Sequence, residues 1–343
     1  MAGAQAPAFW QAGARIPPWA RALEPLYRAL QCLHRSVYAL GLRRPWWAPV
    51  PVIVVGNLTA GGSGKTPLVL ALAEALRAQG WHPGVVSRGY GRADRDPRVV
   101  SADSRADAVG DEPLLVARQA RVPVAVAARR ADAVRLLLHE SVDIVLCDDG
   151  LQHRALARDI EIVVIDGRRR FGNGHLLPAG PLREPPSRLR RVDFVVCNGG
   201  DAQPGEIAMA LEAQPWRALQ PVAGREPPAA GAAVHAVAGL GDPERFFASL
   251  QALGYRVNPH PFPDHHAFHP GDFAFDDGAL PVVMTDKDAV KCAAFARAHW
   301  WVAPVRAQLP ASFLEALRVR LPAPPPGGGM AGPGTAGVGA PLV

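Results

Sequence analysis

The sequence is poor in the features that mark secreted, disulfide-stabilised or membrane-spanning proteins. Its four cysteines, Cys32, Cys147, Cys197 and Cys292, are scattered, and none belongs to a CxxC pair or has a histidine at metal-ligand spacing. Neither a disulfide framework nor a zinc site is therefore indicated. No window holds about 18 uninterrupted apolar residues, and the N-terminus lacks a short apolar run with a cleavage site. We expect a protein of a reducing cytoplasm that neither spans a membrane nor is secreted.

Lysine is almost absent, since Lys65, Lys287 and Lys291 stand beside 34 arginines. In so arginine-rich a sequence, a lysine indicates either a position where a compact ammonium is needed or a position where lysine occurs by chance. The net charge of +6 is concentrated in residues 1–50, where the arginines face Glu24 as the one acidic residue. The chain has 343 residues and 49% apolar content, so it is long enough for a substantial core and two domains.

The segment between residues 19 and 42 has an amphipathic helical pattern. Apolar residues recur on one side and mostly charged residues on the other: Leu23, Leu26, Tyr27, Leu30, Leu33, Val37 and Tyr38 against Arg21, Glu24, Arg28, Gln31 and Arg35. With tryptophans on both flanks, this pattern is typical of a helix that lies in the plane of an anionic membrane. The alternative is an ordinary surface helix packed on its own domain. The same mixture of arginine and tryptophan favours lipid headgroups over nucleic acid.

From residue 51 onward, short β-branched runs alternate with helical segments. Strands that are apolar on both faces and separated by helices form a parallel sheet covered on both sides. We therefore predict an α/β fold with a larger parallel-sheet domain and a second, smaller α/β domain. The predicted parts are an N-terminal amphipathic membrane-associating segment (1–50), the larger domain (51–218), a Pro/Gly/Ala-rich linker (219–233), the smaller α/β domain (234–321) and a disordered tail (322–343).

A glycine-rich phosphate-binding loop stands between the first predicted strand and the first predicted helix of the larger domain. Triphosphates need converging backbone N–H donors at a helix N-terminus, and glycines allow that close approach. Lys65 is expected to reach the β and γ phosphates, and the Thr66 hydroxyl to bind Mg²⁺. The strict P-loop pattern has glycine at position 59, where this chain has Thr59. The predicted nucleotide-binding residues are Thr59, Ala60, Gly61, Gly62, Ser63, Gly64, Lys65 and Thr66.

Two adjacent acids, Asp148 and Asp149, follow a second buried-strand pattern at residues 142–147. In P-loop enzymes the acid that holds magnesium follows a hydrophobic strand of the same sheet. Two neighbouring carboxylates at a strand end are costly without a cation. A solvated turn is the alternative, because aspartate is common in turns. Together with the loop, the pair predicts a P-loop enzyme that binds ATP and Mg²⁺.

Several motifs, in one order along the chain, resemble those of the tetraacyldisaccharide 4'-kinase family of the lipid A pathway. They are the segments 56–59, 61–67, 87–91, 110–113, 148–153 and 177–184, then Asp264-His265 and 285–291. The resemblance covers roughly residues 20–300. It implies a P-loop domain joined to a smaller α/β domain, with an N-terminal helix on the bilayer. It also implies transfer of a phosphate from MgATP to the 4'-hydroxyl of a tetraacylated glucosamine disaccharide 1-phosphate, at the cytoplasmic face of the inner membrane.

The resemblance also implies which residues do the chemistry. Asp111 accepts the proton of the sugar hydroxyl, His265 from the smaller domain orients or polarises it, and Glu112 joins the metal ligands. A base from one domain and its partner from the other imply domain closure. Independently of the family, a sugar hydroxyl is a poor nucleophile at neutral pH, so phosphoryl transfer to it needs a positioned Asp or Asp–His pair. The histidine-rich stretch 260–269 could instead be a solvated loop or a metal site.

Two further motifs supply candidates for substrate binding. Arg88 and Tyr90 follow a strand, at the sheet edge where open α/β folds bind ligands, although an ordinary turn is possible there. Arg183 and Glu184 stand in a Pro/Gly loop that could hold a charge near phosphates or Mg²⁺, the alternative being a surface ion pair. Lys287 is typical either of a base-reading motif or of a salt-bridged helix start.

The sequence is compatible with two functions: a lipid kinase, and an ATPase that acts as a nucleotide-driven switch or partitioning factor. Partitioning ATPases carry an extra lysine before the double glycine, where this chain has Ala60. The basic amphipathic N-terminus further favours a lipid acceptor. The expected partners are the lipid A disaccharide precursor and the inner-membrane surface, with no nucleic acid and no obligate protein partner.

Overall fold

The computed structural model describes residues 6–92, 94–220 and 224–325. Most of the predicted tail, at 326–343, and residues 221–223 of the predicted linker lie outside these ranges. No described helix is long and apolar enough to cross a bilayer. The α-helices are α1 Pro18–Ala39, α2 Lys65–Ala78, α3 Ala106–Val109, α4 Asp111–Ala120, α5 Arg130–Leu138, α6 Pro243–Ala252, α7 Asp286–Cys292 and α8 Ala311–Arg320.

The strands form two sheets. In chain order they are β1 Val52–Gly56, β2 Pro83–Ser87, β3 Arg98–Val100, β4 Val124–Val126, β5 Ile144–Asp148, β6 Ile160–Asp166, β7 Phe194–Asn198, β8 Ile207–Ala213, β9 Arg217–Ala218, β10 Ala233–Ala238, β11 Arg256–Pro261, β12 Val282–Met284, β13 Trp300–Val302 and β14 Val305–Gln308. The larger sheet has the order β14-β8-β7-β6-β1-β5-β2-β4-β3, and the smaller has the order β11-β10-β12-β13-β9. Both sheets are parallel apart from β3, β9 and β14, which lie at their edges and pair antiparallel.

The larger sheet is buried on both faces, as its continuous apolar strands predict. Alternate residues of β1 enter different cores: Ile53 and Val55 pack with α2 on one face, and Val52 and Val54 pack with α5 on the other. In register, β1 lies between β5 and β6, with Val55 opposite Asp148 and Ile162. Because neighbouring parallel strands end at the same edge, the loop after β1 and the acids after β5 meet there.

The chain returns to the larger sheet after β13. Strand β14 pairs with β8, and α8 packs Phe313 and Leu317 into the core beneath the larger sheet, where Phe313 meets Phe194 with ring centres 5.1 Å apart. The sequence pattern instead predicts residues 305–321 as part of the smaller domain. The difference arises because only the long-range pairing with β8 determines which sheet an edge strand joins.

Four leucines on the apolar side of helix α1 face solvent. Leu23, Leu26, Leu30 and Leu33 are 45 to 63% exposed. Other residues attach the helix to the larger domain: Glu24 accepts a hydrogen bond from the Leu176 amide at 3.0 Å and pairs with His175 at 2.8 Å. Tyr27, from the apolar side, is half-buried against the core of the larger domain, and its hydroxyl donates to the carbonyl of Arg183 at 3.2 Å. The helix is therefore packed on its own domain, as the alternative interpretation expects, but the four leucines take no part in that packing.

Helices α4 and α7 join the two sheets. Gln119 of α4 donates to Asp286 at the start of α7 at 2.7 Å, and Val290 of α7 packs into the core shared with α4. The turn after β10 also approaches the phosphate-binding loop, because a Cβ on Gly241 would lie 3.7 Å from the Gly62 amide nitrogen. The smaller sheet thus lies against the edge of the larger sheet where the predicted site residues collect.

Candidate active site

The loop between β1 and α2 has the shape that its glycines predict. Gly61 and Gly64 lie in the left-handed region, with φ of 96° and 90°, and α2 begins at Lys65. Within the described part of the chain, the amides of residues 61–64 donate no hydrogen bond. Free amides beside a helix N-terminus can take an anion.

Side chains from elsewhere hold the carbonyls of this loop. Asn198, at the end of β7, donates to the carbonyl of Ser63 at 3.0 Å, and Asn57 donates to that of Gly61 at 3.2 Å. The Ala60 amide donates to the carbonyl of Pro181 at 2.8 Å. Gly64 must lack a side chain, since a Cβ there would lie 2.2 Å from the Asn198 amide nitrogen. These bonds orient the loop so that its amides face outward.

Three charged side chains stand at the mouth of the loop. The Lys65 ammonium lies 3.6 Å from Asp149, and the Arg183 guanidinium donates to both Asp149 oxygens at 3.1 Å. Although burial alone would raise it, the pKa of Asp149 is lowered because Lys65 and Arg183 stabilise the carboxylate. Lys65 and Arg183 are thus gathered on one carboxylate, beside the place where phosphates would lie.

Asp148 is the buried neighbour, 1% exposed, and one of its oxygens has no hydrogen-bond partner among the described residues. Burial, and next the nearby charge of Glu112, raise the pKa of Asp148 to about 7, while Lys65 opposes the shift. A buried carboxylate with a free oxygen near a second carboxylate suits a divalent cation. No group of three His, Cys, Asp or Glu in the described ranges is arranged to hold a metal unaided. Mg²⁺ commonly takes its remaining ligands from hydroxyls, phosphates and water, so the residues fit that ion.

Asp111 and His265 meet between the two sheets, as the family resemblance implies. Asp111 is the first residue of α4, and its Oδ2 lies 3.4 Å from His265 Nδ1. Gly110, just before Asp111, has φ of 94°. His265 has φ of 58°, a conformation that residues other than glycine rarely adopt. Strain of this kind persists where the surrounding structure imposes it. The geometry supports an acid–base pair.

Lys287 holds this pair from the smaller sheet's side. Its ammonium lies 3.0 Å from Asp264, 3.3 Å from Glu112 and 3.3 Å from His265 Nε2. Burial alone lowers the pKa of Lys287, but Glu112 and Asp264 outweigh burial and raise it. The side chain is 14% exposed and surrounded by carboxylates, which favours the salt-bridged helix start over base reading.

Arg88 and Tyr90 project from the turn after β2. Both are exposed, Tyr90 by 66%, and the Tyr90 ring centre lies 5.0 Å from that of His265. The turn packs tightly on the end of α3, just before α4, because a Cβ on Gly89 would lie 2.6 Å from the Val109 carbonyl. Exposed side chains on a rigid turn next to the acid–base pair are suited to hold a substrate.

Glu184 differs from its neighbour Arg183. It is 3% exposed and accepts hydrogen bonds from Gln152 at 3.1 Å and Arg154 at 3.3 Å. Arg183 and Glu184 therefore do not form the surface ion pair of the alternative interpretation. The contacts of Glu184 favour a role in holding the loop rather than in touching a ligand.

A basic cavity of about 580 Å³ opens between the end of α1 and the loop after β5. Burial, followed by the charges of Arg130 and Arg158, lowers the pKa of His153 in its wall to about 4, so His153 is neutral at physiological pH. The Arg130 amide donates to its Nε2 at 3.4 Å. The lining residues are His34, Tyr38, Arg43, Arg44, Arg129, Gln152, His153, Arg154 and Ala155.

The other histidines of the 260–269 stretch have local partners. His266 lies 2.9 Å from Asp272, the His269 amide donates to the same carboxylate at 2.8 Å, and His260 lies 2.9 Å from His235. These contacts join the histidines to the smaller sheet and its loops.

Proteins of known families resemble this chain over most of its length. A sequence profile of the tetraacyldisaccharide-1-P 4'-kinase family matches residues 18–322. The chain belongs to this family. Relatives named tetraacyldisaccharide 4'-kinase include that of Stenotrophomonas maltophilia, 50% identical over 93% of this chain and 97% of its own, and that of Aeromonas salmonicida, 51% identical over 87% and 90%. A crystal structure of LpxK from Aquifex aeolicus in complex with ATP is 28% identical, covers 88% of this chain and 98% of that chain, and gives a TM-score of 0.72.

Membership in the tetraacyldisaccharide 4'-kinase family confirms the resemblance seen in the motifs, and the LpxK structure confirms the predicted fold class. The roles of individual site residues stay predictions. Sequence reasoning missed Asn198, which holds the phosphate-binding loop. The scarcity of lysine did point to Lys291 but assigned it no role, and its ammonium lies 3.9 Å from Asp111. All three lysines of the chain collect at this site.

Proposed function

We propose that this chain transfers the γ-phosphate of ATP to the 4'-hydroxyl of a tetraacylated disaccharide 1-phosphate. The names of its relatives and the ATP complex of LpxK support the reaction. The observation that carries the proposal is the meeting of Asp111 and His265, 3.4 Å apart, at the same edge as the phosphate-binding loop. A hydrolytic switch needs no such base for a sugar hydroxyl, so this pair favours the kinase.

The nucleotide's phosphates would lie in the loop from Thr59 to Thr66. The free amides of residues 61–64 and the α2 N-terminus would bind the phosphate oxygens, and Lys65 would reach the transferred group. Arg183 contacts the same Asp149 carboxylate as Lys65 and would also contact the phosphates. Fixed positive groups that match the developing charge account for much of such catalysis.

The residues that would hold Mg²⁺ are Thr66, Asp148 and Asp149, with Glu112 as a fourth candidate. The free oxygen of Asp148 supports this assignment, whereas Glu112 is shared with Lys287 at 3.3 Å. When bound, Mg²⁺ neutralises phosphate charge and orients the transferred group. Asp149 keeps its charge at neutral pH because Lys65 and Arg183 lower its pKa.

Asp111 would accept the proton of the acceptor hydroxyl as the oxygen forms its bond to the γ-phosphorus and the bond to the β-phosphate oxygen breaks. His265 would orient that carboxylate from the smaller sheet's side. Arg88 and Tyr90, exposed beside the pair, would hold the sugar. The product would be a 4'-phosphate, with ADP leaving from the loop.

The acceptor's 1-phosphate would enter the basic cavity defined above. Arg43, Arg44, Arg129 and Arg154 line it, and their combined charge suits a phosphate monoester. The cavity lies between the loop that follows Asp149 and the end of α1. A headgroup bound there would leave its acyl chains near the exposed leucines of α1.

The four outward leucines of α1 support peripheral attachment to a membrane, and the family resemblance implies the cytoplasmic face of the inner membrane. Arginines on the same segment would meet anionic headgroups while the leucines enter the bilayer surface. In this arrangement the enzyme draws its lipid acceptor directly from the membrane. We propose no nucleic-acid partner and no obligate protein partner.

A test of the proposed function measures ATP consumption in detergent with and without tetraacyldisaccharide 1-phosphate. We expect turnover that depends on the acceptor and on Mg²⁺. Asp111→Asn should reduce that turnover to a small residual rate while ATP binding, measured by calorimetry, stays within about two-fold, because Asp111 lies outside the phosphate-binding loop. If ATP turnover were unaffected by the lipid but increased by a protein or DNA partner, the result would support a nucleotide-driven switch instead.

A further inference from the structure

Lys291 of α7 lies beside Asp111, and its contacts are unusual for a lysine. The side chain is 6% exposed, with Nζ 2.8 Å from Asp288 Oδ1 and 3.9 Å from Asp111 Oδ2. It also lies 4.9 Å from the centre of the Phe268 ring. Among the described residues, no acceptor meets Nζ in hydrogen-bonding geometry. The buried ammonium therefore acts on the two carboxylates through its charge.

Asp288 is a rigid anchor for this lysine. It is fully buried, and its Oδ2 accepts hydrogen bonds from the Gly239 amide at 2.9 Å and the Thr285 hydroxyl at 2.7 Å. Thr285 in turn caps α7 by accepting from the Asp288 amide. Because these donors fix Asp288, the Lys291 ammonium 2.8 Å away is held in one position relative to Asp111.

The position of Asp111 explains why the lysine is there. His265 Nδ1 and Lys291 Nζ both approach the same oxygen, Oδ2, at 3.4 and 3.9 Å. The second oxygen, Oδ1, is then left for the acceptor hydroxyl. A structural ion pair with Asp288 alone would not require a second carboxylate from α4. Burying an ammonium is costly unless its charge is compensated, and here two carboxylates on different helices compensate it.

We propose that Lys291, anchored by Asp288, is a positioning residue that fixes the Asp111 carboxylate so that Oδ1 faces the acceptor. A lysine suits this role because its compact ammonium attracts one oxygen without the two-pronged grip of arginine, which would engage both. The inference rests on the proposed function, since it assigns Asp111 as the base.

The test compares Lys291→Met with the wild-type enzyme and with Arg256→Met, which removes an exposed positive charge from β11 of the smaller sheet. We expect Lys291→Met to lower kcat by about 10- to 100-fold, with the KM for ATP changed less than about two-fold. Arg256→Met should match the wild type. Thermal melting of each variant establishes that the comparison is between folded proteins.

A cycle with Asp111→Asn separates positioning from a general loss of structure. If Lys291 acts through Asp111, adding Lys291→Met to Asp111→Asn should lower the residual rate less than about two-fold, as measured with radiolabelled ATP. An equal loss in both backgrounds, or a KM for ATP that rises with the loss of kcat, would overturn the inference, as would normal kcat in Lys291→Met. An inactive wild-type protein would instead contradict the proposed function itself.

Discussion

The outward leucines of α1 allow a quantitative prediction about membrane binding. A variant with Gln at Leu23, Leu26, Leu30 and Leu33 keeps helix propensity while removing the apolar side. The four side chains are 45, 57, 56 and 63% exposed. Fully burying a leucine is worth about 1.5–3 kcal/mol, and roughly half of the surface of each leucine is still exposed to solvent and can be buried on insertion. Insertion therefore contributes about 1 kcal/mol per leucine, and about 4 kcal/mol for the four, so vesicle affinity should fall about a thousand-fold.

Sedimentation with vesicles of phosphatidylethanolamine and phosphatidylglycerol measures this affinity. The matched control carries Gln at Leu253 and Val319, which are 44% and 70% exposed but lie outside α1. We expect the control to bind like the wild type. The melting temperature of the fourfold variant should change little, because the substituted leucines are exposed and the fully buried residue of α1 is Ala20. Vesicle binding by the fourfold variant at wild-type strength would refute the membrane role of this face.

Three further variants test the site. Gly64→Ala should weaken ATP binding at least about ten-fold by calorimetry, because φ is 90° and the new Cβ would lie 2.2 Å from the Asn198 side chain. The control is Gly271→Ala, outside the loop, where a new Cβ meets nothing within 4 Å. Equal affinities of the two variants would contradict the prediction. The pKa of Asp148 is raised from 3.8 to about 7, so metal-free wild type should lose stability as pH rises between those values. Asp148→Asn should lack this loss when melting temperatures are measured against pH in EDTA. The same pH dependence in both proteins would contradict this prediction. The pKa of His153 is lowered from 6.5 to about 4, so wild type should lose stability as pH falls through that range. Because solvent around the partly exposed ring screens the effect, His153→Asn should be spared about 1 kcal/mol of the loss at pH 5 in denaturant titrations. No difference between the two proteins would contradict this prediction.

The central strands were predictable from sequence, whereas the edges were not. Strands β1, β5 and β6 are buried on both faces, so they appear as continuous apolar runs flanked by helices. Strand β11 contains Pro259 and Pro261, which an edge strand tolerates because one of its sides makes no ladder bonds. Strand β14 is mostly exposed and is recruited by β8 from about 95 residues earlier in the chain. Local pattern carries no information about such pairings.

The site divides in the same way. The phosphate-binding loop was predictable because its strand, glycines and helix are contiguous, and the Asp111–His265 pair followed from family motifs. Asn198 could not be found by local pattern, because its bond to Ser63 joins residues 135 positions apart. Glu184 looked like a ligand-binding charge beside Arg183, yet tertiary contacts with Gln152 and Arg154 bury it. Charge type is local information, but the direction a side chain faces depends on the whole fold.

The central claim is that this chain joins an ATP-binding loop to a base that activates a sugar hydroxyl. Its most direct test incubates the purified protein with tetraacyldisaccharide 1-phosphate, ATP and Mg²⁺, and then analyses the lipid by mass spectrometry and phosphorus NMR. We expect the lipid to gain one phosphate, attached at the 4' position, and Lys65→Ala to form none of this product. A lipid that is unchanged, or one phosphorylated at another hydroxyl, would show that the chain does not catalyse this reaction.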